Sequence, residues 1–262
     1  MDGYKKLNNQ PLIFALAEFR FSPIFEIEKY IPKIQEALRK KYPMVSQKIS
    51  QKIQFLPDGM DIDNIPRWIF VSADKLNAVE ISAERIVYTT KNYPRFDGFS
   101  EACRTILEMI AEVLEPALIL RVGLRYGDAV IEKEGEKLEE LVDSSFLLPD
   151  LLLGVERDVQ RTTETIIPTK VGFLVVRSLC GNMKVLCMAD INQGLFIPVK
   201  PELEPSKRVI LDFDHFWEVK DPAASVAFNV VEIVGILASL HEPSREAFWN
   251  STTDYARNVI WS

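Results

Sequence analysis

The sequence predicts an α+β fold, and three observations point there. Ser46 to Leu56 alternates strictly, with Ile49, Ile53 and Phe55 on one side and Lys48, Ser50 and Lys52 on the other, as in a half-buried strand. Apolar residues elsewhere recur at spacings of three and four, which marks one face of a helix: Ile27, Ile31, Ile34 and Leu38; Phe99, Cys103, Ile106, Ile110 and Val113; Val226, Val230, Ile233, Leu237 and Leu240. With 47% hydrophobic and 26% charged residues over 262 positions, the chain has enough apolar surface for one large core or two packed halves.

Taken in order, Leu12 to Phe21 reads as a strand, followed by the isoleucine-striped helix, which Pro32 starts or kinks and which ends before Pro43. The alternating strand to Leu56 comes next. A turn-rich stretch, Pro57-Asp58-Gly59 to Pro66, then leads to three short strands, Trp68 to Ser72, Val79 to Ser82 and Ile86 to Thr90. The second helix stops near Pro116. The pattern then starts again with a long strand from Leu118 to Ile131, a short acidic helix around Glu136 to Val142 and a strand near Thr162 to Ile167. Gly181-Asn182 reads as the turn of a hairpin joining Gly172 to Leu179 and Lys184 to Ile191. Arg208 to Phe213 is a further strand. Asp221-Pro222 opens a long helix, and a last helix or pair follows Pro243, with Ser251 and Asp254 at capping-box spacing.

Phe14 to Ser22 and Ile119 to Gly127 share one pattern, an apolar run followed by apolar, arginine, aromatic and small residues. Each opens a strand-helix-strands-helix series. The expectation is therefore two degenerate halves, 1–116 and 117–262, each a curved antiparallel sheet with helices packed on one face. A TATA-binding-protein-like tandem is the nearest analogue in element order, which carries no function with it.

Charge and cysteine content narrow the classes. The apolar run Leu12 to Ala17 is too short for a signal segment or membrane span. Cys103, Cys180 and Cys187 are odd in number, form no CxxC, and with only His215 and His241 make no zinc pattern, which predicts reduced thiols, a cytoplasmic location, no metal and no cofactor. The net charge of -7 opposes general nucleic-acid binding. It is unevenly spread: residues 1–131 carry 18 basic and 17 acidic side chains, +1, and residues 132–262 carry 13 and 21, -8. Within 29–52 seven basic residues, Lys29, Lys33, Arg39, Lys40, Lys41, Lys48 and Lys52, face only Glu36. This is a candidate phosphate-binding or acidic-protein-binding patch, although a solvated face is the commoner meaning of such a run.

Pro11-Leu12 through Phe19-Arg20-Phe21-Ser22-Pro23, Gly123-Leu124-Arg125-Tyr126, Leu211-Asp212-Phe213-Asp214, and Leu240-His241 through Phe248 to Thr253 together resemble a sporadically distributed family of uncharacterised prokaryotic proteins of about 250 residues. The resemblance spans the chain and implies no activity. Its patchy distribution suggests a defence or toxin-antitoxin-like setting. Where that family more often has an asparagine after the mid-chain Leu-Arg-Tyr, this chain has Gly127-Asp128.

Arg20 and Arg125 are the charges that most need explanation, since each sits in an apolar strand beside aromatics and must find partners or water. Asp212 and Asp214, two apart on one strand face, are the candidate partners. The group is either a structural ion-pair network or a recessed pocket with arginine donors for a carboxylate or phosphate. No GxSxG, HExxH, P-loop or GxGxxG motif occurs, so no catalytic set is assigned. Three functions follow: a non-enzymatic binding or regulatory module acting through a protein partner or self-association, nucleic-acid binding through the lysine patch, and an enzyme with an arginine-carboxylate pocket. Trp217, Phe248, Trp249 and Trp261 are candidate interface anchors, with core packing as the competing explanation.

Overall fold

Alternating apolar residues in nine segments pair into one antiparallel sheet with the order β2-β3-β4-β5-β1-β6-β9-β8-β7. The computed structural model describes residues 4, 7–56, 59–149, 159–194, 199, 201–221 and 224–262, except for the side chains of 52–56 and 60–63. The strands are β1 (Leu12–Phe21), β2 (Met44–Leu56), β3 (Gly59–Val71), β4 (Asn77–Ser82), β5 (Arg85–Thr90), β6 (Ile119–Ile131), β7 (Gln160–Pro168), β8 (Phe173–Met183) and β9 (Ser206–Glu218). The helices are α1 (Ile31–Leu38), α2 (Arg95–Leu114), α3 (Leu138–Leu141), α4 (Ala189–Gly194) and α5 (Val230–Ser251), with a π-helical turn at Ala256–Ile260. The fold is thus α+β. No described helix is long and apolar enough to cross a membrane.

Contacts gather the chain into two compact units, Met1–Ala15 with Leu124–Phe216 and Ser239–Ser262, and Leu16–Gly123 with Trp217–Ala238. Both are discontinuous because β1, β6, β9 and α5 each contribute residues to both. A cut between residues 116 and 117 falls inside the second unit. That unit's core contains Phe19, Phe21, Ile34, Leu38, Phe70 and Phe99, all essentially without exposed surface. α2 sets Phe99 against Tyr88 of β5 at 5.4 Å between ring centroids. In the first unit Phe213 of β9 meets Phe248 of α5, which in turn touches Trp249 and Trp261. Phe248 therefore packs against both Trp249 and Trp261. Trp217 is half-buried.

Four elements depart from expectation, each for a local reason. Gly181-Asn182 makes no turn: β8 runs through it, and a Cβ on Gly181 would lie 2.9 Å from the Val159 carbonyl oxygen, so the glycine admits a close backbone approach inside a strand. The segment expected as the second hairpin strand instead contains α4, with Met188 packed against Ala129, Met183 and Ile210. The long helix begins at Val230, where Asn229 Oδ1 accepts from the Val231 and Glu232 N–H groups at 2.9 and 3.2 Å. Pro222 lies outside the described residues. Pro243 does not end that helix, which continues to Ser251, and the Leu240 carbonyl one turn back accepts from Ser244 Oγ at 2.9 Å and His215 Nδ1 at 2.7 Å. His241 is therefore mid-helix rather than at a C-terminus, with Tyr126 Oη 3.0 Å from its Nδ1.

The fourth departure lies in β2 and β3. The stretch from Gly59 to Pro66, expected as turns, belongs to β3, and the two strands pair from Met44↔Val71 to Leu56↔Gly59. β3 pairs with β4 only from Trp68 to Val71, so the rest is a two-stranded ribbon. Ile49, expected to be buried, is 67% exposed because β2 is an edge strand beyond the paired part of β4.

Gly127 faces the ring of Phe14, whose Cε1 would lie 2.2 Å from an added Cβ. The ring itself is fully buried and has no space to retreat. Gly127→Ala should cost about 1–3 kcal/mol by overpacking, whereas Gly123→Ala, whose nearest contact is 3.7 Å away, should be near neutral. Thermal unfolding of the two variants checks this; equal stability would contradict it.

Candidate functional site

Strand alternation sends charged side chains to one sheet face and apolar ones to the other, and the structure pairs the charges across strands. In the first unit, Glu164 of β7, Arg177 of β8 and Asp212 of β9 stand directly opposite one another. Arg177 Nε donates to Glu164 Oε2 at 2.7 Å, and its NH1 lies 3.6 Å from Asp212 Oδ1 and 3.8 Å from Asp214 Oδ2. Arg125 of β6 closes the group. Its Nε donates to both Asp212 oxygens at 2.9 and 3.0 Å, and its NH2 reaches Asp190 of α4 at 3.0 and 3.3 Å.

Three of the four predicted site residues thus meet: Arg125 with Asp212, and both aspartates beside Arg177. Arg20 belongs to a separate group in the second unit. There Glu18 holds Arg20 at 2.7 Å, Arg85 at 3.4 Å and Arg121 at 3.6 Å. Arg85 also donates to Glu80 at 2.8 Å, and Glu80 lies 3.5 Å from Arg67. Arg121 reaches Glu218 at 3.7 Å. The group runs from β3 through β4, β5, β1 and β6 to β9, and Arg20 joins it through Glu18.

The electrostatics of the first group oppose an anion. Four carboxylates, Glu164, Asp190, Asp212 and Asp214, surround two guanidiniums, so an incoming carboxylate or phosphate meets an excess of negative charge. Asp212 is 1% exposed, and burial pushes its pKa up to about 6 against the lowering pull of Arg125. Alternation places Asp128 on the other sheet face from Arg125, the face where Tyr126 meets α5. Burial first and Asp212 second push Asp128 up to about 8. Burial likewise lowers the pKa of His215, and drives His241 down to about 4 with help from Arg245. His215 accepts from or donates to Thr169 Oγ1 at 2.9 Å through Nε2 and donates through Nδ1 to the Leu240 carbonyl, so it ties β9 to the helix and to the β7–β8 turn.

The lysine patch does not concentrate. Lys29 pairs with Glu26, Lys33 is exposed on α1, and Lys40 and Lys41 follow that helix, with Lys41 Nζ 5.8 Å from the Tyr42 ring centroid. Lys48 is exposed on β2. The side chain of Lys52 lies outside the described residues, but its register position is opposite Asp63. A cavity of about 180 Å³ in the first unit is lined by Leu12, Ile13, Ala129, Ile131 and the candidate anchor Trp261 among others, and by none of the predicted arginines, aspartates or patch lysines. Among the described residues no cluster of histidine, cysteine and carboxylate side chains could hold a metal ion.

Sequence reasoning overlooked Asp128, Arg177, Asp190 and the fully buried Arg208. Arg208 donates to Glu202 Oε2 at 2.6 Å and to the Val185 carbonyl at 3.3 Å, pinning the chain after β8. Val-Val-Arg177-Ser-Leu carries the same signal as Arg125, a charge in an apolar strand, but lacks the aromatic neighbour.

Asp128 generates a signed pH effect. Its folded pKa lies above that of the unfolded chain, so the folded state keeps a proton that the unfolded state has released, and stability falls as pH rises toward 8. The two histidines act in the opposite sense, and only below about pH 6.5, where the unfolded chain charges them first. Between pH 6.5 and 8 the chain should therefore lose stability by up to about 1.4 kcal/mol per unit. Asp128→Asn should flatten that slope and raise the melting temperature more at pH 8 than at pH 6.5. Parallel melting profiles for the two proteins would contradict the assignment.

No protein-family model matches the chain, and no curated protein matches it in sequence.

Proposed function

We propose that the chain is a non-enzymatic binding module that acts through protein contacts, with the β2–β3 ribbon as its docking element. The carrying observation is the ribbon's pattern. By register, Val45 and Ile49 of β2 share a face with Phe70 and Pro66 of β3. Phe70 and Trp68 are buried in the core, so the core face continues along the ribbon to Ile49, where it is open. A two-stranded ribbon is marginal in water on its own, and a partner covering this face would stabilise it.

The other two functions receive less support. Register sets Asp63 opposite Lys52, and Lys29 pairs with Glu26, so acid accompanies part of the basic run, which weakens nucleic-acid binding. The carboxylate excess around Arg125 and Arg177 weakens an enzyme with an anion pocket. The strand order supports two degenerate halves: β2-β3-β4-β5-β1 is followed by β6-β9-β8-β7, with the two opening strands adjacent as in a TATA-binding-protein-like tandem. The three unpaired, buried thiols support a reducing cytoplasm. The motif resemblance supports a prokaryotic defence or toxin-antitoxin-like setting and adds no activity.

Capture of the tagged protein from its native cell, with and without nuclease, tests the proposal when run beside Ile49→Lys. The expected result is a stoichiometric protein that survives nuclease and is lost from the variant, whose fold is undisturbed because Ile49 is exposed. Recovery of nuclease-sensitive material that depends instead on Lys40 and Lys41 would overturn it.

A further inference from the structure

The cavity beside Trp261 in the first unit is built by segments that backbone bonds tie together. Ala129 of β6 donates its N–H to the Pro11 carbonyl at 2.9 Å, and Pro11 has no N–H to return. Glu132 N–H points the other way, to the Lys207 carbonyl at 3.0 Å, so alternation turns the backbone groups of Ile131 toward the side of β6 where Pro11 lies. Asn9 N–H donates to the Trp261 carbonyl at 3.2 Å, and Thr253 N–H to the Leu141 carbonyl at 3.1 Å, which fixes two further walls. After β6 the chain turns through Gly135, whose φ of 81° suits glycine, and Glu136 N–H closes on the Lys133 carbonyl at 3.0 Å. Lys133 and Glu136 therefore reach the same cavity from the two ends of one turn. They carry opposite charges, yet neither side chain has an ion-pair partner among the described residues. The neighbouring Glu132 is engaged by Lys207 at 3.8 Å.

We infer that this cavity binds a free α-amino acid with an aliphatic side chain, independently of docking on the ribbon. The volume of about 180 Å³ equals that of about six waters in the liquid. It falls below the range of about 300–1,000 Å³ that drug-sized ligands occupy. The aliphatic side chain lies against Leu12, Ile131, Leu141 and Trp261, all of which line the cavity. The ligand carboxylate meets the Lys133 ammonium, and the ligand ammonium meets Glu136. Charge complementarity selects this zwitterion. A plain aliphatic acid sets a second carboxylate near Glu136, a plain amine sets a second cation near Lys133, and each leaves one charge without a counter-ion. Because backbone bonds hold the walls before a ligand arrives, little ordering opposes binding.

Calorimetric titration of the full chain with L-leucine, isocaproate and isoamylamine tests this, because isocaproate lacks only the amino group of leucine and isoamylamine only its carboxylate. Leucine should bind with a millimolar or lower dissociation constant, and each analogue about tenfold more weakly. Glu136→Gln should weaken leucine by about tenfold and strengthen isocaproate, whereas Lys133→Gln should weaken leucine by a similar factor and strengthen isoamylamine. Lys133 is exposed and Glu136 half-buried, so both variants should keep the wild-type melting temperature. Ile49→Lys should bind leucine as the wild type does, since the ribbon and the cavity share no residue. Absence of saturable binding at millimolar leucine overturns the inference, as does an affinity for leucine no greater than that for either analogue. Leucine binding that both charge substitutions leave unchanged also overturns it, because the ligand then sits elsewhere on the chain.

Discussion

A carboxylate with almost no exposed surface needs donors within reach, and Asp212 obtains them only while β6, β8 and β9 keep one register. Arg125 spans both of its oxygens and Arg177 approaches from the opposite strand. A slip of one residue would turn either guanidinium to the other sheet face and leave a buried ion uncompensated, a loss of about 3–5 kcal/mol. The same requirement explains Gly127, two residues along β6 on the same face, where the Phe14 ring fills the space beside the ion pairs. In the second unit Glu18 does the equivalent work with three arginines from β1, β5 and β6.

This distribution of charge decides what the sheet is able to do. Cation-carboxylate contacts line the strands of each unit, and Phe99 and Phe248 of the helices pack against strand residues of their own unit. The ribbon differs because its helix-side face runs beyond the paired part of β4, and because its edge residues hold backbone groups without a strand partner among the described residues. The proposed binding of a protein lies on the part of the sheet where the packing rules are left incomplete.

Much of the strand content was legible from alternation alone. β1 was expected at Leu12 to Phe21 and occupies Leu12–Phe21, and β5 differs by one residue. The failures share a cause: residue types that punctuate local structure were overridden by tertiary contacts. Gly181 serves the approach of Val159, and Pro243 is carried within α5 while His215 and Ser244 bond the Leu240 carbonyl. The pairing of Arg125 with Asp212 was visible as two misplaced charges in apolar strands. Asp190 was not, because it approaches from a helix in a segment whose apolar run reads as a strand. Ile49 was misjudged for the opposite reason: its alternation is genuine, but alternation does not say whether the layer expected beneath a strand reaches that far.

The central claim is that the ribbon face meets a protein, and a photo-cross-linking residue installed at position 49 in the native cell tests it most directly, with position 33 on α1 as the comparison. The account predicts one discrete protein adduct from position 49 and none from position 33. Nucleic-acid adducts from position 33, with nothing captured at position 49, would contradict it.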